Sequence, residues 1–141
     1  MKTSILRFMI PKSLVEYISD KSTVRQALEK MSFHRYTAIV VLNASGEYVG
    51  TLRNDDILNY FLKSGSFDKV MAEEVPVTEI LNSAALRPLL HSAPVSELIE
   101  AVKEHNFVPV VDDRDCFVGI ILRRDILNYL LNYYNETNRR G

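Results

Sequence analysis

Asp125 follows two arginines, Arg123 and Arg124, in the run LRRDIL (122–127). Asp56 stands three residues after Arg53 in LRNDDIL (52–58). A carboxylate accepts two hydrogen bonds at once, which suits the adjacent hydroxyls of a ribose. A guanidinium offers forked N–H donors that grip phosphate oxygens in pairs. Each acid opens an apolar run of helical spacing, and a helix start presents free N–H groups that favour an anion. Acid for sugar, arginine for phosphate and helix N-terminus together fit a sugar phosphate. The set at Asp125 is the richer of the two. The same acids also suit a plainer role as caps of their own helices, and Arg123 and Arg124 as a solvated face.

Other chemistry is missing. His34, His91 and His105 have no metal-ligand spacing with one another or with Cys116. No Ser-His-Asp or Cys-His arrangement is readable, and no Gly-rich phosphate loop is present. No catalytic residue, metal or resident cofactor is therefore expected, and the chain is not expected to be an enzyme.

The two acids occupy the same place in a repeat. YVGTLRNDDILNYFLK (48–63) and FVGIILRRDILNYLLN (117–132) are identical at eight of sixteen positions: Val49/Val118, Gly50/Gly119, Asp56/Asp125, Ile57/Ile126, Leu58/Leu127, Asn59/Asn128, Tyr60/Tyr129 and Leu62/Leu131. Self-similarity on this scale fixes the architecture before any other reading. The offset is 69 here and at IVVLN (39–43) against VPVVD (108–112). It is 71 at Val24, Ala27, Leu28 and Met31 against Val95, Leu98, Ile99 and Val102, and at that offset LRFMI (6–10) faces VTEIL (77–81).

Each repeat reads as β-α-β-β-α. Thr23 and Gln26 form a capping box, and Val24, Ala27, Leu28 and Met31 follow at i, i+3, i+4, i+7. Pro94 stands early in the matching helix, where a missing N–H is harmless. AIVVL (38–42) and VPVV (108–111) are short, β-branched, continuously apolar strands. Asn43–Gly46 and Asp112–Asp115 are turns. Tyr48–Leu52 and Phe117–Leu122 are return strands, and Asp55 or Asp56 starts the next helix. LVEYI (14–18) and LRPLL (86–90) are further strand candidates. The organisation is therefore α+β: unit 1 over 1–64, a connecting helix over 65–75, unit 2 over 76–135 in pseudo-twofold tandem with sheets packed face to face, and a polar tail over 136–141.

Composition excludes several classes. The net charge is −1 with 25% charged residues, so no nucleic-acid footprint is visible. No apolar run approaches the roughly 20 residues of a membrane span. One cysteine forms no internal disulfide, and a cytoplasmic setting is expected.

The pattern of buried strand, polar turn, apolar-Gly-apolar and Asp at a helix start resembles a CBS domain, and the tandem resembles a Bateman module. The stretches that carry the resemblance are IVVLNASGEYVGTLRNDDIL (39–58) and VPVVDDRDCFVGIILRRDIL (108–127). The family's motif aspartate falls on Asp56 and Asp125. Its Ser/Thr falls on Arg53 and Leu122, a departure in both repeats. The resemblance implies a regulatory sensor that binds an adenine nucleotide (AMP, ADP or ATP) and acts on an unknown protein partner in trans. Cyclic di-AMP is the alternative ligand, for which Tyr36–Ile39, Arg123-Arg124 and the shortened connection Glu104–Val108 are the matching features. A ligand-free dimerisation module is the third reading. By the family's cross-over geometry the second-repeat site joins Asp125, Arg124 and Arg123 to Tyr36, Thr37, Ala38, Val15 and Tyr17. The weaker first-repeat site joins Asp56 and Arg53 to Asn106, Phe107 and Val108. A homodimer is expected, because Leu130, Leu131, Tyr133 and Tyr134 exceed what one helix face can bury.

Overall fold

The computed structural model describes residues 3–65, 69–81 and 87–140, the side chains of 69–71 and 140 excepted. The chain forms two compact units. Residues 16–87 make a central unit; residues 1–15 and 88–141, from both ends of the chain, make a terminal unit.

In the central unit β2 (Tyr17–Ser19) runs parallel to β3 (Ala38–Leu42), which pairs antiparallel with β4 (Tyr48–Arg53). Helices α1 (Val24–His34), α2 (Asn54–Ser64) and α3 (Lys69–Glu74) complete it. The capping box that opens α1 is present. Thr23 Oγ1 accepts from the Gln26 N–H at 3.3 Å, and Gln26 Oε1 accepts from the Thr23 N–H at 2.9 Å, which satisfies two orphan donors of the first turn. Val24, Ala27 and Met31 bury their side chains in one core with Ile18, Ile39, Val41, Leu52, Ile57 and Phe61, as the apolar spacing of α1 requires. The segment after α3 closes the unit through Val24 N–H to Val75 O at 2.9 Å and Val77 N–H to Ser22 O at 2.9 Å.

The terminal unit repeats this plan and adds a strand. Its sheet order is β1 (Met9–Pro11), β7 (Phe117–Leu122), β6 (Phe107–Val111), β5 (Leu89–Leu90). Helix α4 (Val95–Glu104) and helix α5 (Arg123–Arg140) accompany it, around a core of Ile5, Leu98, Val102, Val108, Val110, Ile121 and Ile126. The added strand β1 is the chain's own N-terminal segment, paired antiparallel with β7 so that Pro11 faces Gly119. Pro lacks the N–H that a central strand must donate, so an edge is its natural place. The compact units thus cut across the sequence repeat.

Several expectations shift. The strand expected over 14–18 is Tyr17–Ser19, and Leu14 closes a 3-10 turn over Lys12–Leu14. Of LRPLL, only Leu89–Leu90 is strand, while Leu86 lies outside the described residues. The connecting helix is Lys69–Glu74, and 66–68 lie outside the described residues. Pro94 stands just before α4, at its N-cap position, instead of within it. Leu58 and Leu62 share the apolar helical spacing of Ile57 and Phe61 on α2. Only the latter two are buried; Leu58 and Leu62 are 51% and 69% exposed.

The change of offset from 71 to 69 has a local cause. Helix α1 leaves through Arg35 in the left-handed region at φ 57°, with the Tyr36 N–H returning to Met31 O at 2.8 Å. Helix α4 leaves directly through extended His105. The left-handed exit occupies the two residues that the second repeat lacks. The hairpin turns are equivalent in both repeats. Asn43 Oδ1 accepts from the N–H groups of Ser45 and Glu47 at 3.0 and 2.9 Å. Asp112 Oδ1 accepts from Arg114 and Cys116 at 2.9 and 3.0 Å. Those two backbone donors hold the Asp112 carboxyl below the usual carboxylate range.

Candidate functional site

Each unit carries its motif aspartate in the first turn of a helix that directly follows a return strand. In the central unit Ala38 pairs with Arg53 across β3 and β4, and the Asn54 N–H donates to Thr37 O at 3.0 Å. Tyr36, Thr37, Ala38, Arg53 and the start of α2 therefore meet at one end of the sheet. Tyr36 packs partly into the core, its ring 5.4 Å from that of His34. Tyr17 lies on β2 opposite Val40, and its carbonyl accepts from Lys30 Nζ at 2.8 Å. In the terminal unit Phe107 pairs with Leu122, and the Arg123 N–H donates to Asn106 O at 2.8 Å. Asn106, Phe107, Val108 and the start of α5 meet in the same way. Val15 belongs to this unit, just after the 3-10 turn at Lys12–Leu14.

Each unit thus brings the motif aspartate of a repeat together with the start of the buried strand of that same repeat. The cross-over pairing expected from the sequence draws Asp125 from one unit and Tyr36, Thr37, Ala38 and Tyr17 from the other.

The aspartates are identical in sequence and different in state. Asp56 Oδ2 accepts from the Arg53 N–H at 3.0 Å, so one carboxylate oxygen caps its own helix. Among the described residues nothing hydrogen-bonds to or pairs with the carboxylate of half-buried Asp125 or the guanidinium of exposed Arg124. Arg123 is committed elsewhere. Its Nε donates to Val102 O at 2.6 Å and its Nη2 to Lys103 O at 3.4 Å. These are last-turn carbonyls of α4, which have no partner within their own helix. The phosphate role expected for Arg123 therefore meets a guanidinium already used to cap α4. Sequence reasoning had no signal for this, because the acceptors lie about twenty residues upstream.

Sequence reasoning also missed the surroundings of the two tyrosines. In the terminal unit the Tyr129 ring meets Phe8 edge-on at 5.0 Å, and the Arg7 guanidinium carbon lies 5.0 Å from the ring centroid. In the central unit the corresponding ground is an open groove of about 310 Å³, lined by Asp56, Tyr60, Lys63, Glu79, Ile80 and Leu81. Among the described residues no group of three His, Cys, Asp or Glu side chains converges as a metal site. No described helix is long and apolar enough to cross a membrane.

The CBS domain family model matches residues 7–63 and 72–132, the same two repeats. The chain belongs to the CBS domain family. Cyclic di-AMP receptor B of Bacillus subtilis is 27% identical over 145 residues, covering 99% of this chain and 94% of that protein. The structure of CbpB in complex with c-di-AMP superposes with a TM-score of 0.85 at 22% identity, covering 99% of this chain and 91% of the other. A hypothetical conserved protein from Geobacillus kaustophilus gives 0.86 at 24% identity, covering 94% and 99%. The mixed α/β tandem fold of these CBS proteins is the fold of this chain.

Proposed function

We propose that this CBS tandem is a non-catalytic regulatory module, cytoplasmic, that binds an adenine nucleotide and signals to a protein partner in trans. The observation that carries the reading is the state of the α5 start. Among the described residues a half-buried carboxylate and an adjacent guanidinium stand unengaged in the first turn of an 18-residue helix. Asp125 takes the ribose hydroxyls and Arg124 the phosphate. Arg123 positions the site by tying the start of α5 to the end of α4. Binding that favours one conformation over another is how such a module reports ligand without chemistry.

Cyclic di-AMP is the second reading, supported by the likeness to Cyclic di-AMP receptor B. Calorimetry separates the two. The parent is expected to bind AMP, ADP or ATP well below 1 mM. Asp125→Ala removes a charged hydrogen-bond partner worth roughly 1.5–3 kcal/mol, so AMP affinity falls about tenfold to over a hundredfold. Cyclic di-AMP has no free vicinal diol, so Asp125→Ala spares it. Arg124→Ala weakens both. A parent that binds none of these at about 1 mM, a threshold worth only about −4 kcal/mol, leaves the ligand-free interaction module as the function.

We also infer a homodimer. Leu131, Tyr133 and Tyr134 are 56%, 54% and 63% exposed on α5, and several large apolar side chains exposed on one helix support an interface there. Two chains of 16.1 kDa give about 32 kDa by light scattering; a 16 kDa particle at micromolar concentration contradicts it.

A further inference from the structure

The segments LRFMI and VTEIL align at an offset of 71 in sequence, but the structure equates them at 72. Ile5 and Val77 are each fully buried, and each begins or enters a 3-10 turn, Ile5–Phe8 or Val77–Glu79. Met9 lies over Gly119, and Leu81 lies over Gly50. Gly119 and Gly50 are paired positions of the repeat, so Met9 and Leu81 are equivalent. Arg7 and Glu79 are then equivalent too. Arg7 lies over the Tyr129 ring, and Glu79 lines the same groove as Tyr60; each tyrosine stands one helical turn after its motif aspartate. One structural position therefore carries a cation in the terminal unit and an anion in the central unit.

Resting on the nucleotide reading above, we propose that this charge reversal makes the two motif sites unequal. Arg7 is a specificity-determining residue that, with Arg124, directs the phosphates of one nucleotide per chain to the terminal unit. Glu79, with Asp55 and Asp56, turns phosphate away from the central unit. The Arg7 guanidinium is always charged, and no carboxylate pairs with it among the described residues. The Tyr129 face holds it in place through its negative quadrupole. Among the described residues that line the groove in the central unit, Lys63 is the one cation, against the two acids Asp56 and Glu79. A phosphate there meets net repulsion within the Debye length.

Calorimetry of the full chain with adenosine, AMP and ADP tests this. The parent should bind one ADP per chain. Arg7→Ala should lower ADP affinity about tenfold or more, the loss of one charge-assisted phosphate contact, and leave adenosine within about twofold. Arg7→Lys, which keeps the charge, should retain most ADP binding, and Glu79→Ala should not weaken the single site. Two ADP per parent chain overturn the inference, as does an Arg7→Ala loss equal for adenosine and ADP, which would mark Arg7 as packing. If the parent binds ADP and Arg7→Ala binds it equally well, Arg7 has no such role and the nucleotide reading stands. If the parent binds none of the three, both fall.

Discussion

Gly119→Ala unseats the N-terminal strand, whereas Gly50→Ala at the matching position is tolerated. A Cβ at Gly119 would land on the carbonyl oxygen of Ile10 and within 2.7 Å of Met9 Cγ. The oxygen is backbone, in a strand that pairs with β7 at this very residue, so it cannot yield by changing rotamer. Overpacking of this kind costs about 1–3 kcal/mol and more where backbone must move. The three atoms nearest to a Cβ at Gly50 all belong to the Leu81 side chain, the first at 3.4 Å, and a leucine tip can shift by a few tenths of an ångström. Denaturant titration of the two variants is the measurement. Equal midpoints would mean that β1 is not held against Gly119.

The repeat shows that both glycines are constrained but not that they are constrained differently, since the difference lies in what crosses each one. The same limit runs through the reading of the chain. Strands β3 and β7 and the capping box of α1 are legible because their determinants are local: β-branched runs, a glycine, and a Thr–Gln pair three residues apart. Leu58 and Leu62 share the helical spacing of core residues, and spacing cannot say how wide a stripe a neighbour covers. The one-residue slip between Ile5 and Val77 is hidden because two short apolar segments align almost equally well at either offset, and only burial decides. Asp56 and Asp125 are the same letter in the same motif, yet one caps its helix and the other does not. That distinction is a matter of rotamer and neighbours, which a single sequence does not encode legibly.

Variants of Arg123 and Arg124 are expected to separate structure from function in adjacent residues. Arg123→Ala leaves the Val102 and Lys103 carbonyls without their donor. Losing a charged hydrogen bond of this kind costs about 1.5–3 kcal/mol, and in a unit of this size each kcal/mol lowers the melting temperature by roughly 4–8 °C. Arg123→Lys recovers part of it, because an ammonium lacks the planar fork. Arg124→Ala stays within about 0.5 kcal/mol of the parent, as an exposed substitution with no partner should, and shows its effect only in ligand affinity. Thermal melts of the three variants without ligand decide the matter: if Arg124→Ala melts as early as Arg123→Ala, the division of labour is wrong.

The pairing of β1 with β7 also sets an order of events during synthesis. The central unit is continuous and complete once residue 87 has emerged, so it can close while the rest of the chain is still being made. Strand β1 leaves the ribosome first and acquires its partner last, because Met9 must wait for Ile121. Joining them closes a loop of more than a hundred residues, whose entropic cost grows only with the logarithm of its length, but whose formation is slow for the same reason that all non-local pairing is slow. Until then Met9 and Ile10 travel as an unpaired apolar strand while the central unit is already closed. Two repeats that look interchangeable on paper are, in time, a first and a second.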